Sequence, residues 1–230
     1  MEKFQITRFV ISFVLILIGI SISFVKSLHL KNKIFTTKFI TRVAIFSAIS
    51  TLLYIVPYLK FPLPFFPSFL EIHFDEIPAL IAGFAYGPIA GFFVILIKTI
   101  IKLPLSTTLC VGELADLIYG LILVIPSAII YKRKRNLKGA FLGLGVASIL
   151  QVVISGFLTT FVMLDFYIFV MGFKEETLLM FCQIANPNIT SLDWPFLLLV
   201  ALPFNALKDV MIIILTTLLY KRIHIFIDRF

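Results

Sequence analysis

Asn205, Lys208 and Asp209 stand in "ALPFNALKDVM", inside a run from Pro195 to Tyr220 that is otherwise almost wholly apolar. Spacings of three and four put them on roughly one face of a helix. An asparagine amide offers a donor and an acceptor side by side, and a lysine adds a cationic donor. Such a set suits the edge of a flat heterocycle with an imide group, an N–H flanked by carbonyls. The ring faces would then need apolar or aromatic walls. Pro203, just before the set, loosens the helix and frees carbonyls to bond elsewhere. Ionisable groups this deep in a membrane cost about 2.5–3.5 kcal/mol each on insertion scales, so they should turn inward. Two readings stand open on these residues: a ligand site, or charge neutralisation within the bundle, with Asp116 as one partner.

Other chemistries find no support. No Gly-Lys pair occurs in the chain, so there is no P-loop to hydrolyse ATP. His29, His73 and His224 are scattered and form no HExxH or similar metal set. There is no GxSxG elbow, and no catalytic residue is assigned. Cys110 and Cys182 match no metal or redox spacing and read as apolar fillers. Neither a metal nor a cofactor is expected.

The elements that must position the set are membrane helices. Of 230 residues, 60% are hydrophobic and 14% charged, and the mean hydropathy is +1.09. Several apolar runs reach the roughly 20 residues that span a bilayer core. The fold class is therefore all-α integral membrane. The net charge of +8 is not a nucleic-acid signal, because the basic residues form short clusters between apolar runs and not one face. Residues 26–42, 132–138 and 221–230 hold five, five and three of the 20 Lys and Arg, which orients those segments toward the cytoplasm. Lys60, Lys98, Lys102 and Lys174 then fall in outer segments.

An N-terminal apolar run, 9–25, reads as a retained transmembrane helix, and the basic linker after it completes a segment 1–38. Residues 39–230 form the main membrane domain. Its helices are expected over 39–56, a short stretch from 75 to 87, 88–102, 112–131, 139–164 and 194–220, six after the first and seven in all. Between the first two lies "YLKFPLPFFPSFLEIHF", too rich in proline for a helix and too apolar for a solvated linker. It should lie on the membrane surface or fold back as a cap. Asp75 and Glu76 are expected to cap the short helix. The stretch 165–193 reads as mixed and mildly acidic.

"FPLPFFPSFLEIHFDEIPALIAGFAYGPIAG", "GELADLIYG", "PFNALK" and "LLYKR" occur in that order over residues 39 to 222. Together they resemble the substrate-binding S components of energy-coupling factor (ECF) vitamin transporters, above all the riboflavin-specific S components. The resemblance implies a six-helix bundle, here with one extra N-terminal helix, in the plasma membrane of a bacterium. It implies binding of riboflavin from outside, with the first loop closing over the pocket and Phe65, Phe66 and Leu70 meeting the ligand. The partners implied are a transmembrane coupling subunit and two ATP-binding subunits. Asn205 and Lys208 match ligand-binding positions, with Asp209 beside them. The family's fifth helix commonly gives the ligand an asparagine; "FLTTFVMLDFY" offers Thr159 or Thr160 instead. Ala44 and Ala48 in "RVAIFSAIS" match an AxxxA face that docks on the coupling subunit. Asp116 stands where the family often has asparagine, and Asp209 where a small residue is usual. Competing expectations are an S component for another vitamin or precursor, and an ion-coupled secondary transporter using Glu113, Asp116, Lys208 and Asp209 as a relay.

Overall fold

The computed structural model describes the backbone of residues 35–227 and the side chains of 35–220. The helix expected over 9–25 lies outside the described residues. By its internal contacts the chain divides into residues 1–40 and 41–230, and the second unit is the subject below.

Among the described residues, five helices are long and apolar enough to cross a membrane. They are α1 (Thr37–Ile55), α3 (Pro88–Lys102), α4 (Val111–Arg133), α5 (Leu137–Phe169) and α7 (Trp194–Tyr220, its backbone helical on to 227). The sixth expected span, α2 (Glu76–Tyr86), has only 11 residues. At 1.5 Å per residue it covers about half of a 30 Å hydrocarbon core. It can be short because it is not a wall of the bundle: every residue from Glu76 to Phe84 is buried. An all-α membrane bundle is thus confirmed, with five full spans and the short, buried α2 among the described residues.

The short helix turns directly into α3. Gly87 sits between them at φ 98°, a conformation open to glycine, and Pro88 starts α3. The pair then closes on α4 through Gly91. A Cβ placed there would lie 2.5 Å from Val124 Cγ1 and 3.0 Å from the Ala79 carbonyl oxygen.

Both long helices of the second half contain one π-helical turn: Thr159–Met163 in α5 and Leu197–Ala201 in α7. These turns pack against each other. The turn in α7 ends two residues before Pro203, where the missing N–H already interrupts the ladder. The stretch read as mixed contains a further helix, α6 (Glu175–Ala185). Its Leu178 and Cys182, four apart, pack with Phe196 and Leu197 of α7. Periodicity missed it because an 11-residue helix carrying two buried positions gives a weak pattern.

The basic loop between α4 and α5 marks one end of the bundle, where the Tyr131 and Tyr220 hydroxyls meet at 2.9 Å. At the other end lie residues 56–75, 103–110 and 170–193. The first of these contains a minimal antiparallel hairpin, β1 (Phe61–Pro62) with β2 (Glu71–Ile72), Phe61 facing Ile72. Asp75 does occupy the position before α2, yet its side chain makes no capping bond. It points inward instead.

Adding a methyl group at Gly91 overpacks a helix junction, which costs typically about 1–3 kcal/mol. Gly91→Ala should lower the unfolding temperature in detergent. Gly145→Ala, whose Cβ meets nothing within 4 Å, should leave it unchanged or slightly higher. Equal behaviour of the two variants would refute the close-approach argument.

Candidate functional site

A cavity of about 550 Å³ lies at the end of the bundle opposite the basic loop. It falls within the 300–1,000 Å³ range typical of small-molecule sites. Phe204, Asn205 and Lys208 reach it from α7, Glu113, Asp116 and Tyr119 from α4, and Thr159, Met163 and Tyr167 from α5. Ser68, Phe69, Leu70 and His73 close it from the first loop, and Phe173 and Phe181 from the segment around α6.

An ion network forms its inner wall. The Lys208 ammonium donates to Glu76 Oε1 at 3.1 Å and lies 3.2 Å from His73 Nε2. Lys98, with no exposed surface, pairs with Asp75, whose other oxygen binds His73 Nδ1. The Tyr54 hydroxyl donates to Asp116 Oδ2 at 2.5 Å, and the same oxygen is 3.9 Å from His73 Nε2. The arrangement fixes the histidine tautomer: Nε2 receives a proton donor from Lys208, so the ring hydrogen sits on Nδ1 and goes to Asp75. Burial, and then the Lys208 charge, push the His73 pKa down to about 4, against the opposing pull of Glu76 and Asp116. His73 is therefore neutral at physiological pH. The donor atoms of His73, Asp75 and Glu76 lie within 4.8 Å of one another, close enough to share a cation. The cations they share are the two lysine ammoniums.

Free bonding capacity points into the cavity. Lys208 has three N–H donors and spends two of them on Glu76 and His73, leaving one for the space it lines. Asn205 Nδ2 donates to the Ala201 carbonyl at 2.8 Å, a group at the end of the π-helical turn. Its Oδ1 accepts no bond among the described residues.

The expected site residues separate into two sets. Asn205, Lys208, Thr159 and Leu70 line the cavity. Thr159 Oγ1 is engaged with the Tyr119 hydroxyl at 3.1 Å. Asp209, Thr160, Phe65 and Phe66 do not line it. Asp209 follows Lys208 by about 100° of helix turn and meets Ser148 of α5, with 2.7 Å between Ser148 Oγ and Asp209 Oδ2. Phe66 packs on Phe204, ring centres 5.3 Å apart, and Phe65 is 78% exposed. Ala44 and Ala48 are exposed on α1, whose opposite face buries Val43, Ser47, Ser50, Thr51 and Tyr54.

Sequence reasoning missed the network around Lys208. It treated His73 as isolated, Asp75 and Glu76 as caps, and Lys98 as an outer-segment lysine. Lys98 is in fact a buried charge inside α3. The signal was present: a lysine in the middle of an apolar helix needs a carboxylate partner, as Lys208 does.

A membrane bundle with a polar-floored cavity of ligand size at one end has the build of a solute-binding membrane protein. Residues 38–220 match the family model described as "ECF transporter, substrate-specific component", and the chain belongs to that family. It is 31% identical over 188 residues to the riboflavin transporter RibU of Staphylococcus aureus (strain TCH60), covering 82% of this chain and 93% of the relative. It is 24% identical over 193 residues to the riboflavin transporter FmnP of Bacillus subtilis (strain 168), covering 83% and 95%. A solved structure reported under "Structure and mechanism of the S component of a bacterial ECF transporter" superposes with a TM-score of 0.65 at 30% identity, covering 82% of this chain and 96% of that one.

The depressed His73 pKa carries a signed consequence. Between about pH 4 and 6.5 the unfolded chain binds a proton that the folded chain does not, so stability falls as pH drops through that window. The unfolding temperature in detergent should fall from pH 7 to pH 5, and less steeply in His73→Gln. Parallel curves would show that His73 titrates normally.

Proposed function

We propose that this chain captures riboflavin at the outer face of the membrane for uptake by an ECF transporter. The carrying observation is the pairing of Asn205 and Lys208, both more than nine-tenths buried, at the floor of a cavity of ligand size. Asn205 Oδ1 accepts the imide N–H of the isoalloxazine ring, and Lys208 donates to a neighbouring carbonyl. Phe69, Phe204, Tyr167 and Met163 supply the apolar surface that the ring faces require. The names of the curated relatives support the same vitamin.

The energy for transport comes from partners in this reading: a transmembrane coupling subunit and two ATP-binding subunits. The chain itself lacks a P-loop. Ala44 and Ala48 serve as the docking face. They lie beside Ile45, Ile49 and Leu52, which are about half exposed, and small residues allow a partner helix to approach closely.

Purified protein should quench riboflavin fluorescence. A hydrogen bond involving a charged group contributes about 1.5–3 kcal/mol, so Lys208→Ala should weaken binding about tenfold or more. Asn205→Ala should act in the same direction. Affinities within twofold of wild type for both variants would overturn the site assignment.

Docking has a separate readout. Ala44→Leu combined with Ala48→Leu should abolish copurification with the coupling subunits while leaving riboflavin affinity intact. Undiminished assembly would place the docking face elsewhere.

A further inference from the structure

Residues 132–138, "KRKRNLK", are seven consecutive exposed positions where α4 gives way to α5. Five of them are cations: Lys132, Arg133, Lys134, Arg135 and Lys138. None of the five pairs with a carboxylate among the described residues. The described acids belong to the cavity half of the bundle, apart from Asp209, which lies about 16 Å along α7 from Tyr220. The turn that presents the cations is tight. Only Lys134, Arg135 and Asn136 lie between the two helices. The Asn136 N–H donates to the Lys134 carbonyl at 2.8 Å, and Asn136 Oδ1 accepts from the Gly139 N–H at 2.7 Å. Gly139 approaches the Lys134 carbonyl oxygen so closely that a Cβ there would collide with it. A link this short holds its charges at the end of the bundle and cannot carry them out to a distant surface.

Apolar side chains fix the depth of that end in the bilayer. Ile129, one turn before the basic run, is 41% exposed, and Leu137, between Arg135 and Lys138, is 48% exposed. Phe141 and Leu142, one turn farther along α5, are half exposed. The hydrocarbon boundary therefore falls within a turn of the cations, at the level where the Tyr131 and Tyr220 hydroxyls meet. Tyrosines collect at such boundaries. Arg42 of α1 stands at the same end, its guanidinium 4.5 Å from the centre of the Tyr86 ring. Lysine and arginine at this depth lay their stems along apolar surface and place their charges among lipid headgroups.

We propose that the α4–α5 turn is a binding surface for anionic phospholipid headgroups, which neutralise its five cations and fasten this end of the bundle to the adjacent leaflet. Charge complementarity selects that occupant: the array is purely cationic, it lacks carboxylates of its own, and it sits at headgroup depth. Each Lys or Arg close to an anionic leaflet strengthens attachment about fivefold. The surface is separate from the solute cavity and does not depend on which solute the cavity takes.

The test is native mass spectrometry of the full chain in neutral detergent micelles that contain equal amounts of phosphatidylglycerol and phosphatidylcholine. A micelle has no inner side, so the part these charges play in orienting the chain cannot contribute. Wild type should retain phosphatidylglycerol over phosphatidylcholine by about fivefold or more, and about 0.5 M salt should erase the preference. Lys134→Gln, Arg135→Gln and Lys138→Gln together should bring the two lipids to within about twofold of each other. An unchanged unfolding temperature in lipid-free detergent shows that this variant is folded. If it does not fold, Arg135→Gln alone should lower the preference, and Lys138→Arg, which keeps the charge, should not. Millimolar inorganic phosphate should leave the lipid in place; its complete displacement would make the turn a site for free anions and overturn the proposal. No preference in wild type would leave the turn to an acidic protein surface and overturn it as well. A wild-type preference in the folded triple variant would place the lipid elsewhere, with the same result.

Discussion

Two ammonium groups inside a membrane bundle must each have a carboxylate, and the arrangement of the outer half follows from that requirement. Lys98 in α3 and Lys208 in α7 are buried, and a buried unpaired charge is among the most destabilising features a chain can contain. Both partners come from consecutive residues, Asp75 and Glu76, at the entrance to α2. That one dipeptide therefore ties α2, α3 and α7 together at a single depth. His73 completes the tie, donating to Asp75 while receiving from Lys208. The short α2 belongs to the same solution. A full-length helix would carry its first turn past the level of both lysines, whereas an 11-residue helix starts beside them.

The network accounts for where a cavity can exist. Most polar groups on its inner wall are satisfied by one another, although Glu76 Oε2 is buried without a hydrogen-bond partner among the described residues. Two π-helical turns, in α5 and α7, meet beside this space and interrupt the regular packing of the two longest helices. Thr159 begins one of these turns, and Ala201 ends the other with a carbonyl that holds the Asn205 amide. The side chain that would recognise a ring edge is thus oriented by an irregularity in its own helix, as Pro203 leads one to expect. On the far side, Leu178 and Cys182 of α6 anchor a small apolar cap against Phe196 and Leu197.

Much of this was legible before any coordinates. The long spans followed from hydropathy, and their ends came within a few residues because prolines, glycines and basic clusters punctuate them. The exception, α5, runs on to Phe169, past the end expected at 164, and contains a π-helical turn at Thr159–Met163. The cavity positions of Asn205 and Lys208 were readable from spacing and cost. Asp209 was not, since a set three and four apart spans enough arc for its last member to face another helix. His73, Asp75 and Lys98 escaped notice for a different reason. Each has an ordinary local explanation, and only the approach of segments more than 20 residues apart makes them one group. Helix α6 lies at the limit of periodic signal.

The hairpin gives the first loop two unlike halves. After β2 the chain runs directly into His73 and the ion pairs, so that limb is moored by charge. Between the strands, residues 63–70 are held by ring contacts, Phe66 on Phe204 and Phe69 on Phe196, which tolerate sliding because they fix no atom-to-atom distance. The two ion pairs therefore anchor the chain only after β2, and the eight residues between the strands depend on apolar contacts for their position.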